Sequence, residues 1–136
     1  MDKEIVVITG ISGYVGSQVC LSFLKDGTYK VRGTVRSKTN PAKIDPLKQA
    51  FGEHFDQLEL VEADLTDEAS ITKAIEGAQY VVHTASPFTF DVPKNKDDMI
   101  KPALEGTLSV CRAAAAHKIK RVVITSSCVA IMNTAD

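Results

Sequence analysis

The sequence has few of the residues that would direct it to a disulfide-rich or metal-binding class. Its 136 residues contain no tryptophan, 6% aromatic residues and three cysteines, Cys20, Cys111 and Cys128. The odd cysteine count, without a Cys-x-x-Cys pair or a histidine at zinc spacing, indicates neither a disulfide framework nor a zinc site. The three histidines lack ligand spacing, so we predict no metal site. We expect reduced, buried thiols in a cytoplasmic protein.

Long apolar runs and an excess of one charge are also missing. The aliphatic run Ile5-Val6-Val7-Ile8 is far shorter than the roughly 20 residues of a membrane-spanning helix. Met1-Asp2-Lys3-Glu4 leads directly into it, which does not fit a secretory signal. Sixteen Lys and Arg against 17 Asp and Glu give a net charge of −1, which offers no general attraction to nucleic acid or to an acidic membrane surface. We therefore expect no nucleic-acid partner and no membrane.

The chain alternates between two kinds of segment. Short runs rich in Val and Ile predict five strands, at 4–9, 29–36, 58–62, 79–83 and 121–125. Apolar residues at helical spacing lie between them. Strands that are apolar on both faces and separated by helices predict a parallel sheet covered on both sides. The predicted fold class is therefore α/β, a doubly wound Rossmann sheet of five strands in the order 3-2-1-4-5.

One domain, 1–136, accounts for the whole chain, because the length suits a single core and no linker or repeat interrupts it. The segment 37–45, with Pro41 inside it and Pro46 next to it, is the most loop-like stretch. The apolar stripe of a long helix is predicted from residues at helical spacing, namely Ile100, Leu104, Leu108, Cys111 and Ala115.

A glycine-rich turn follows the first predicted strand. It reads Thr9-Gly10-Ile11-Ser12-Gly13-Tyr14-Val15-Gly16, with the spacing G-x-x-G-x-x-G. Gly10 would let the chain reverse, Gly13 would let the backbone approach a pyrophosphate, and Gly16 would let the next helix pack on the sheet. Free N–H groups at the helix start would then bind the phosphates. This strand–turn–helix context predicts a dinucleotide site, with a merely structural turn as the alternative.

The end of the second strand distinguishes NADP from NAD. An acid there would bond the ribose 2′-hydroxyl of NAD, but the sequence reads Val35-Arg36-Ser37-Lys38. The planar guanidinium of Arg36 suits a 2′-phosphate. Residues 30–48 carry six basic residues against one acid, although such runs are often only a solvated face. We therefore predict NADP (NADPH) as the cofactor.

Residues at the ends of the third and fourth strands are further candidates. Asp64 and Leu65 suit the edge and face of adenine, although Asp64 could simply start a turn. The small residues Thr84-Ala85-Ser86 leave room for a cofactor to cross the sheet. His83, just before them, could be a general base, but a packed, hydrogen-bonded strand histidine is the more common case.

Together these motifs resemble the extended short-chain dehydrogenase/reductase superfamily. Within it, the chain is similar to the dihydroflavonol reductase-like group, which includes cinnamoyl-CoA reductases and fungal methylglyoxal/aldehyde reductases. The residues that carry the resemblance are 9–16, 35–36, 63–65, the run from His83 to Phe88, and 123–127. The resemblance covers essentially the whole chain but only the first half of such a family member. It implies a small-molecule carbonyl substrate as the partner, an aldehyde or ketone that is reduced with NADPH. It also implies a chain truncated before its substrate-binding region.

The resemblance also implies roles for single residues. Those expected to contact the cofactor are Gly10, Ser12, Gly13, Tyr14, Val15, Arg36, Lys43, Asp64, Leu65, Thr84, Ala85, Ser86, Thr125 and Ser126. Arg36, with Lys43 as a second candidate, would hold the 2′-phosphate. Ser127 matches the catalytic serine, which donates a hydrogen bond to the substrate carbonyl. A turn at a strand end is the alternative reading of Ser126 and Ser127.

One departure from the family pattern concerns the proton donor. The family protonates the carbonyl oxygen with a tyrosine that has a lysine four residues later, whereas none of Tyr14, Tyr29 and Tyr80 has this partner. We expect the cofactor-binding portion of an NADP-dependent carbonyl reductase, with one of three catalytic residues. Two alternatives remain: a non-catalytic nucleotide-binding module or subunit, and a fragment of a nucleotide-sugar epimerase or dehydratase. An acid in place of Arg36 would have favoured the last of these.

Overall fold

A five-stranded parallel sheet forms the centre of the protein. The structure, a computed structural model, describes residues 2–87 and 94–132. The strands are β1 (Ile5–Thr9), β2 (Lys30–Val35), β3 (Glu59–Glu62), β4 (Tyr80–His83) and β5 (Arg121–Ile124). Their order is β3-β2-β1-β4-β5, and every neighbouring pair is parallel. The predicted α/β class and strand order are confirmed.

Helices connect consecutive strands. The described residues form α1 (Tyr14–Asp26), α2 (Pro41–Phe51), α3 (Glu68–Ile75) and α4 (Asp97–Ala116). Short 3₁₀ turns follow α2 at Gly52–Gln57 and β5 at Cys128–Ala130. Within the described part of the chain, no helix combines the length and apolar character needed to cross a membrane.

The core has two layers, one on each face of the sheet. Residues alternate along β1, so Val6 and Ile8 pack on one face and Val7 packs on the other. On the first face they meet α1 and α2 through Cys20, Leu24, Leu47 and Phe51. On the second face, Val7 meets α3 and α4 through Ile71, Ile75 and Val110. This arrangement explains why the central strands are apolar on both faces.

Only one of the three cysteines lies in the core, where we had expected all of them. Burial raises the pKa of the Cys20 thiol to about 12, so this group stays protonated. Cys111 and Cys128 are exposed, and all three thiols are free.

The predicted loop at 37–45 is wrong in its second half, because α2 begins at Pro41. The side chain of Asn40 accepts a hydrogen bond from the N–H of Ala42, and Pro41 occupies the first helical position. Both features favour a helix start, since proline has no N–H to satisfy there. The proline was therefore a start signal rather than a loop signal.

The predicted apolar stripe of α4 does not face the sheet. Ile100, Leu104 and Leu108 are each more than a third exposed. The buried stripe consists instead of Gly106, Ser109, Val110, Ala113 and Ala114. These mostly small side chains let α4 pack close to α3, and this close packing turns the bulkier stripe outward.

The start of α3 provides a test of the helix assignments. The side chain of Asp67 accepts hydrogen bonds from the N–H groups of Ala69 (3.1 Å) and Ser70 (3.3 Å). We expect Asp67→Ala to lower the free energy of unfolding by about 1 kcal/mol, the usual effect of losing an N-cap. Urea denaturation measures the change, with Asp56→Ala in an exposed 3₁₀ position as the control. Equal stability of the two variants would contradict the assignment.

Candidate functional site

A cleft of about 670 Å³ lies at the carboxyl ends of β1, β2 and β4. Parallel strands bring these ends to one edge of the sheet, where open α/β folds bind their ligands. The predicted cofactor residues that line the cleft are Gly10, Ser12, Gly13, Tyr14, Val15, Arg36, Asp64, Leu65, Thr84, Ala85 and Ser86. Phe88, the last residue of the run quoted for the resemblance, lies outside the described residues.

The glycine turn is held from both sides by neighbouring strands. Gly10 has a φ of 71°, a left-handed conformation that favours glycine. Its N–H donates to the hydroxyl of Thr34 on β2 at 3.0 Å, and the N–H of Ile11 donates to the Thr34 carbonyl at 3.1 Å. A Cβ on Gly10 would lie 2.8 Å from Ala85. The turn is thus fixed between β2 and the end of β4.

The amino end of α1 faces the cleft without a cap. Gly13, the N-cap residue, supplies no side chain, and the first turn contains no acid. By contrast, Asn40 and Asp67 cap α2 and α3. The first N–H groups of an α-helix have no partner within the helix, so those of α1 can donate to an anion.

Gly13 and Gly16 have different structural requirements. A Cβ on Gly16 would collide with the Gly10 carbonyl and lie 2.7 Å from the Thr84 hydroxyl. A Cβ on Gly13 would meet only the Gly10 carbonyl oxygen, at an ordinary 3.5 Å. Gly16 is therefore needed for the fold, whereas the packing around Gly13 has room for a larger residue.

Four residues at the ends of β1 and β4 form one hydrogen-bonded group. The Thr9 hydroxyl oxygen accepts the N–H groups of Thr84 and Ala85, both at 3.1 Å, and lies 2.8 Å from Nδ1 of His83. The Thr84 hydroxyl in turn donates to the Thr9 carbonyl. Thr9 and His83 are nearly inaccessible to solvent. Burial lowers the pKa of His83, so the imidazole is neutral at pH 7.

Arg36 and Asp64 define the charge at the other end of the cleft. The amide and the hydroxyl of Thr66 donate to Oδ1 of Asp64 at 2.8 and 2.7 Å. These bonds hold the pKa of Asp64 below its ordinary value, and the nearby Arg36 guanidinium lowers it further. Asp64 therefore does start a turn, as the alternative reading suggested, but its Oδ2 is free of these bonds.

Not all of the predicted basic cluster lies at the cleft. Lys30 and Arg32 pair with Glu59 on β3, at 3.8 and 3.1 Å, and Arg32 also donates to the Ala74 and Glu76 carbonyls. Lys43 lies in the first turns of α2 and does not line the cleft. Arg36 does line it, and the described residues provide it with no ion pair.

An acid from a neighbouring strand reaches the loop after Arg36. Glu62 lies opposite Val35 in the β2–β3 register, and its Oε1 accepts the N–H of Lys38 at 2.9 Å. The sequence at the end of β2 gave no sign of this carboxylate, because it comes from β3. Glu62 anchors the backbone of the loop that follows β2.

Leu65 packs against α4. A Cβ on Gly106 would lie 2.9 Å from the Leu65 side chain, so the glycine makes room for it. From the same helix, Asp98, Met99 and Pro102 also line the cleft. Pro102 is the sixth residue of α4 and has no N–H to donate to the carbonyl of Asp98.

Thr125, Ser126 and Ser127 lie beyond β5 and outside the cleft lining. The N–H of Thr125 donates to the His83 carbonyl at 3.0 Å, so this segment continues from the end of β5 beside β4. The Ser127 hydroxyl oxygen accepts the N–H of Val129 at 3.2 Å and caps the 3₁₀ turn. Its hydrogen is free of that bond and can be donated elsewhere.

Several residues that line the cleft were not predicted as cofactor contacts, namely Thr9, Thr34, Val35, Ala63, Thr66, Ile71, Pro87, Asp98, Met99 and Pro102. Thr9 and Thr34 carried a usable signal, because each is a polar residue near the end of an apolar strand beside the glycine turn. The α4 residues carried none, since their approach depends on helix packing.

Two other potential sites have less support. The described residues contain no group of three or more His, Cys, Asp or Glu side chains that could hold a metal ion. A second depression, of about 850 Å³, is lined by residues at the amino ends of β1 and β2, including Lys3, Ile5 and Lys30. It has neither a glycine turn nor a helix amino end, so the cleft remains the candidate site.

The chain is similar to known proteins over nearly its whole length. Residues 6–134 match the NAD dependent epimerase/dehydratase family. A dihydroflavonol 4-reductase from Hordeum vulgare is 42% identical over 127 residues, which are 93% of this chain and 35% of that protein. A cinnamoyl-CoA reductase from Medicago truncatula is 40% identical over 129 residues, 94% of this chain and 39% of that protein. The chain thus spans little more than a third of the length of these relatives.

Two solved structures of reductases have a similar fold over nearly the whole of this chain. Vestitone reductase from alfalfa superimposes with a TM-score of 0.71 at 31% identity, over 93% of this chain and 37% of that one. A yeast methylglyoxal/isovaleraldehyde reductase complexed with NADPH superimposes with a TM-score of 0.78 at 28% identity, over 97% of this chain and 40% of that one. The matched range, the fold and these relatives agree with one another. The chain belongs to the NAD dependent epimerase/dehydratase family of the short-chain dehydrogenase/reductase superfamily.

Proposed function

We propose that the chain is the NADP-binding portion of a carbonyl reductase that reduces an aldehyde or ketone. The observation that carries this proposal is the uncapped amino end of α1, which faces the cleft at Gly13. A Cβ on Gly13 would make only an ordinary contact with the rest of the protein. No packing requirement explains a glycine at this position. A pyrophosphate lying against the backbone does explain it, because a side chain would keep the phosphates away from the N–H groups.

The two ends of the cleft suit the two halves of a dinucleotide. Arg36, Asp64 and Leu65 would hold the adenosine half, with the Arg36 guanidinium on the 2′-phosphate and Oδ2 of Asp64 on the adenine amine. Thr84, Ala85 and Ser86 would lie along the other half, towards the end of β4. The relatives named as reductases and the yeast reductase complexed with NADPH support a nicotinamide dinucleotide as the ligand.

The reaction needs a hydride at the carbonyl carbon and a proton at its oxygen. When bound, NADPH supplies the hydride, which leaves NADP⁺ and an alkoxide that becomes the alcohol on protonation. Ser127 would donate its free hydroxyl hydrogen to the carbonyl oxygen as negative charge builds there. In the family that the sequence resembles, the proton comes from a tyrosine that has a lysine four residues later. The sequence of this chain contains no such tyrosine.

A pair of glycine variants tests the pyrophosphate site. We expect Gly13→Ala to keep the wild-type free energy of unfolding but to weaken NADPH binding at least tenfold, because its Cβ fits the fold and blocks the ligand. Gly16→Ala, the matched control, should destabilise the fold itself, since its Cβ collides with Gly10. Calorimetric titration and urea unfolding give the two quantities. Unchanged NADPH affinity in folded Gly13→Ala would reject the proposed site.

Substitution of Arg36 tests the choice of NADP over NAD. A charge-assisted hydrogen bond contributes about 1.5–3 kcal/mol. We therefore expect Arg36→Ala to weaken NADPH binding by roughly 10- to 100-fold. NADH has no 2′-phosphate, so its binding should be nearly unchanged. Arg121→Ala, at the opposite edge of the sheet, should change neither affinity. If Arg36→Ala weakens both cofactors equally, Arg36 does not read the 2′-phosphate.

The missing proton donor predicts binding without turnover. We expect the purified 136-residue chain to bind NADPH and to show no NADPH-dependent reduction of aldehydes such as methylglyoxal, because no positioned acid is present to protonate the alkoxide. Absorbance at the NADPH band, with and without aldehyde, measures the reaction. Steady NADPH oxidation that requires the aldehyde would show that another group supplies the proton.

A further inference from the structure

The hydroxyl of Thr9 has three polar neighbours, and their number decides where its hydrogen lies. A threonine hydroxyl has one hydrogen to donate and two lone pairs that can accept. The backbone N–H groups of Thr84 and Ala85 occupy both lone pairs. The hydrogen must therefore point to the third neighbour, Nδ1 of His83, at 2.8 Å.

This arrangement determines the chemical state of His83. A nitrogen that accepts a hydrogen bond cannot itself carry a hydrogen, so Nδ1 is bare and Nε2 carries the ring proton. A charged imidazolium would place an N–H at Nδ1 against an oxygen that already has two donors. The neutral form with its proton on Nε2 is thus the state in which all of these contacts can be made.

The surroundings of His83 favour the neutral form. β4 packs against β1, β5 and α4. Neither neighbouring strand places a charge beside His83, since β1 has no charged residue and Arg121 of β5 lies opposite Tyr80 at the other end of β4. The charged side chains of α4 are Asp97, Asp98, Lys101, Glu105 and Arg112. None of these groups shifts the pKa of His83, which burial alone lowers.

The same contacts determine the shape of the cleft. The two N–H groups that Thr9 accepts belong to Thr84 and Ala85, which line the cleft at the end of β4. Their positions are narrowly limited, because there is no space for a Cβ between Ala85 and Gly10 or between Thr84 and Gly16. A change in the direction of the Thr9 lone pairs would weaken these two hydrogen bonds at the carboxyl end of β4, beside the glycine turn.

We propose that His83 is a positioning residue for the nucleotide site: its bare Nδ1 accepts the hydrogen bond from the Thr9 hydroxyl and so directs both Thr9 lone pairs to the amides that shape the cleft. His83 acts through Thr9, as a packed and hydrogen-bonded strand histidine, and not as a general base. The effect on cofactor binding rests on the proposed function, whereas the hydrogen-bonded state of His83 can be measured without any ligand.

Two substitutions test whether His83 acts through its hydrogen-bond acceptor or only through the volume of its ring. His83→Asn places its Oδ1 close to the position of Nδ1 and should bind NADPH within twofold of the wild type at pH 7.5. His83→Leu fills a similar volume without an acceptor and should bind at least fivefold more weakly. His54→Asn, in the 3₁₀ turn after α2, is the control. Equal affinities of the Asn and Leu variants would overturn the proposal.

The pH dependence of the free energy of unfolding provides a second test of His83. Because the pKa of folded His83 lies below the ordinary 6.5, the unfolded chain binds the proton first as the pH falls. The stability of the wild type relative to His83→Asn should be constant above about pH 6.5 and should decrease below it, towards the lowered pKa. A relative stability that stays constant from pH 8 to pH 5 would contradict a buried neutral His83.

Nitrogen NMR of the ¹⁵N-labelled wild-type chain tests the state of the ring directly, even if the Leu variant does not fold. We expect the His83 signals of a bare Nδ1 and a protonated Nε2 at pH 7.5. A protonated Nδ1, or a ring that titrates near 6.5 like a free histidine, would overturn the proposal. If these signals are as expected but no variant and no wild-type chain binds NADPH, the proposed function fails while the hydrogen-bonded state of His83 stands.

Discussion

The contact between the glycine turn and the end of β4 is the constraint on which the cleft depends. Gly10 and Gly16 leave no space for a Cβ on the side of Ala85 and Thr84. The Thr9 hydroxyl and carbonyl add hydrogen bonds to the same two residues. Because β1 is the middle strand, a shift at this contact would be transmitted to both layers of the core.

The cleft is built differently at its two ends. Towards β2 and β3 it is defined by charge, with Arg36 and Asp64 near solvent and Glu62 anchoring the backbone of the loop after Arg36. Towards β4 it is defined by neutral hydrogen bonds among buried groups. Exposed charges can adjust to a ligand at small cost, whereas a buried network has one satisfied arrangement. Under the proposed function, the β2 side would choose between cofactors and the β4 side would fix their position.

Much of this architecture could be predicted from the sequence, because it depends on local patterns. Five apolar runs gave the strands, and the strand–turn–helix context of the glycines gave the turn. What could not be predicted depends on packing between distant segments. Glu62 reaches the loop after Arg36 from a different strand. In α4, the mostly small residues face the core and Ile100, Leu104 and Leu108 are exposed. Proline at position 41 misled because the same residue begins helices and occupies loops.

The β1–β4 pairing also has a consequence for the order in which the chain can fold. The Thr9–His83 hydrogen bond joins residues 74 positions apart. During synthesis, β1, α1 and β2 can therefore leave the ribosome well before the partners of Thr9 exist. Until β4 has emerged, β1 has one unpaired edge and the glycine turn lacks the surface against which it closes. A nascent chain should thus acquire the cleft late, when residues 80–85 insert beside β1.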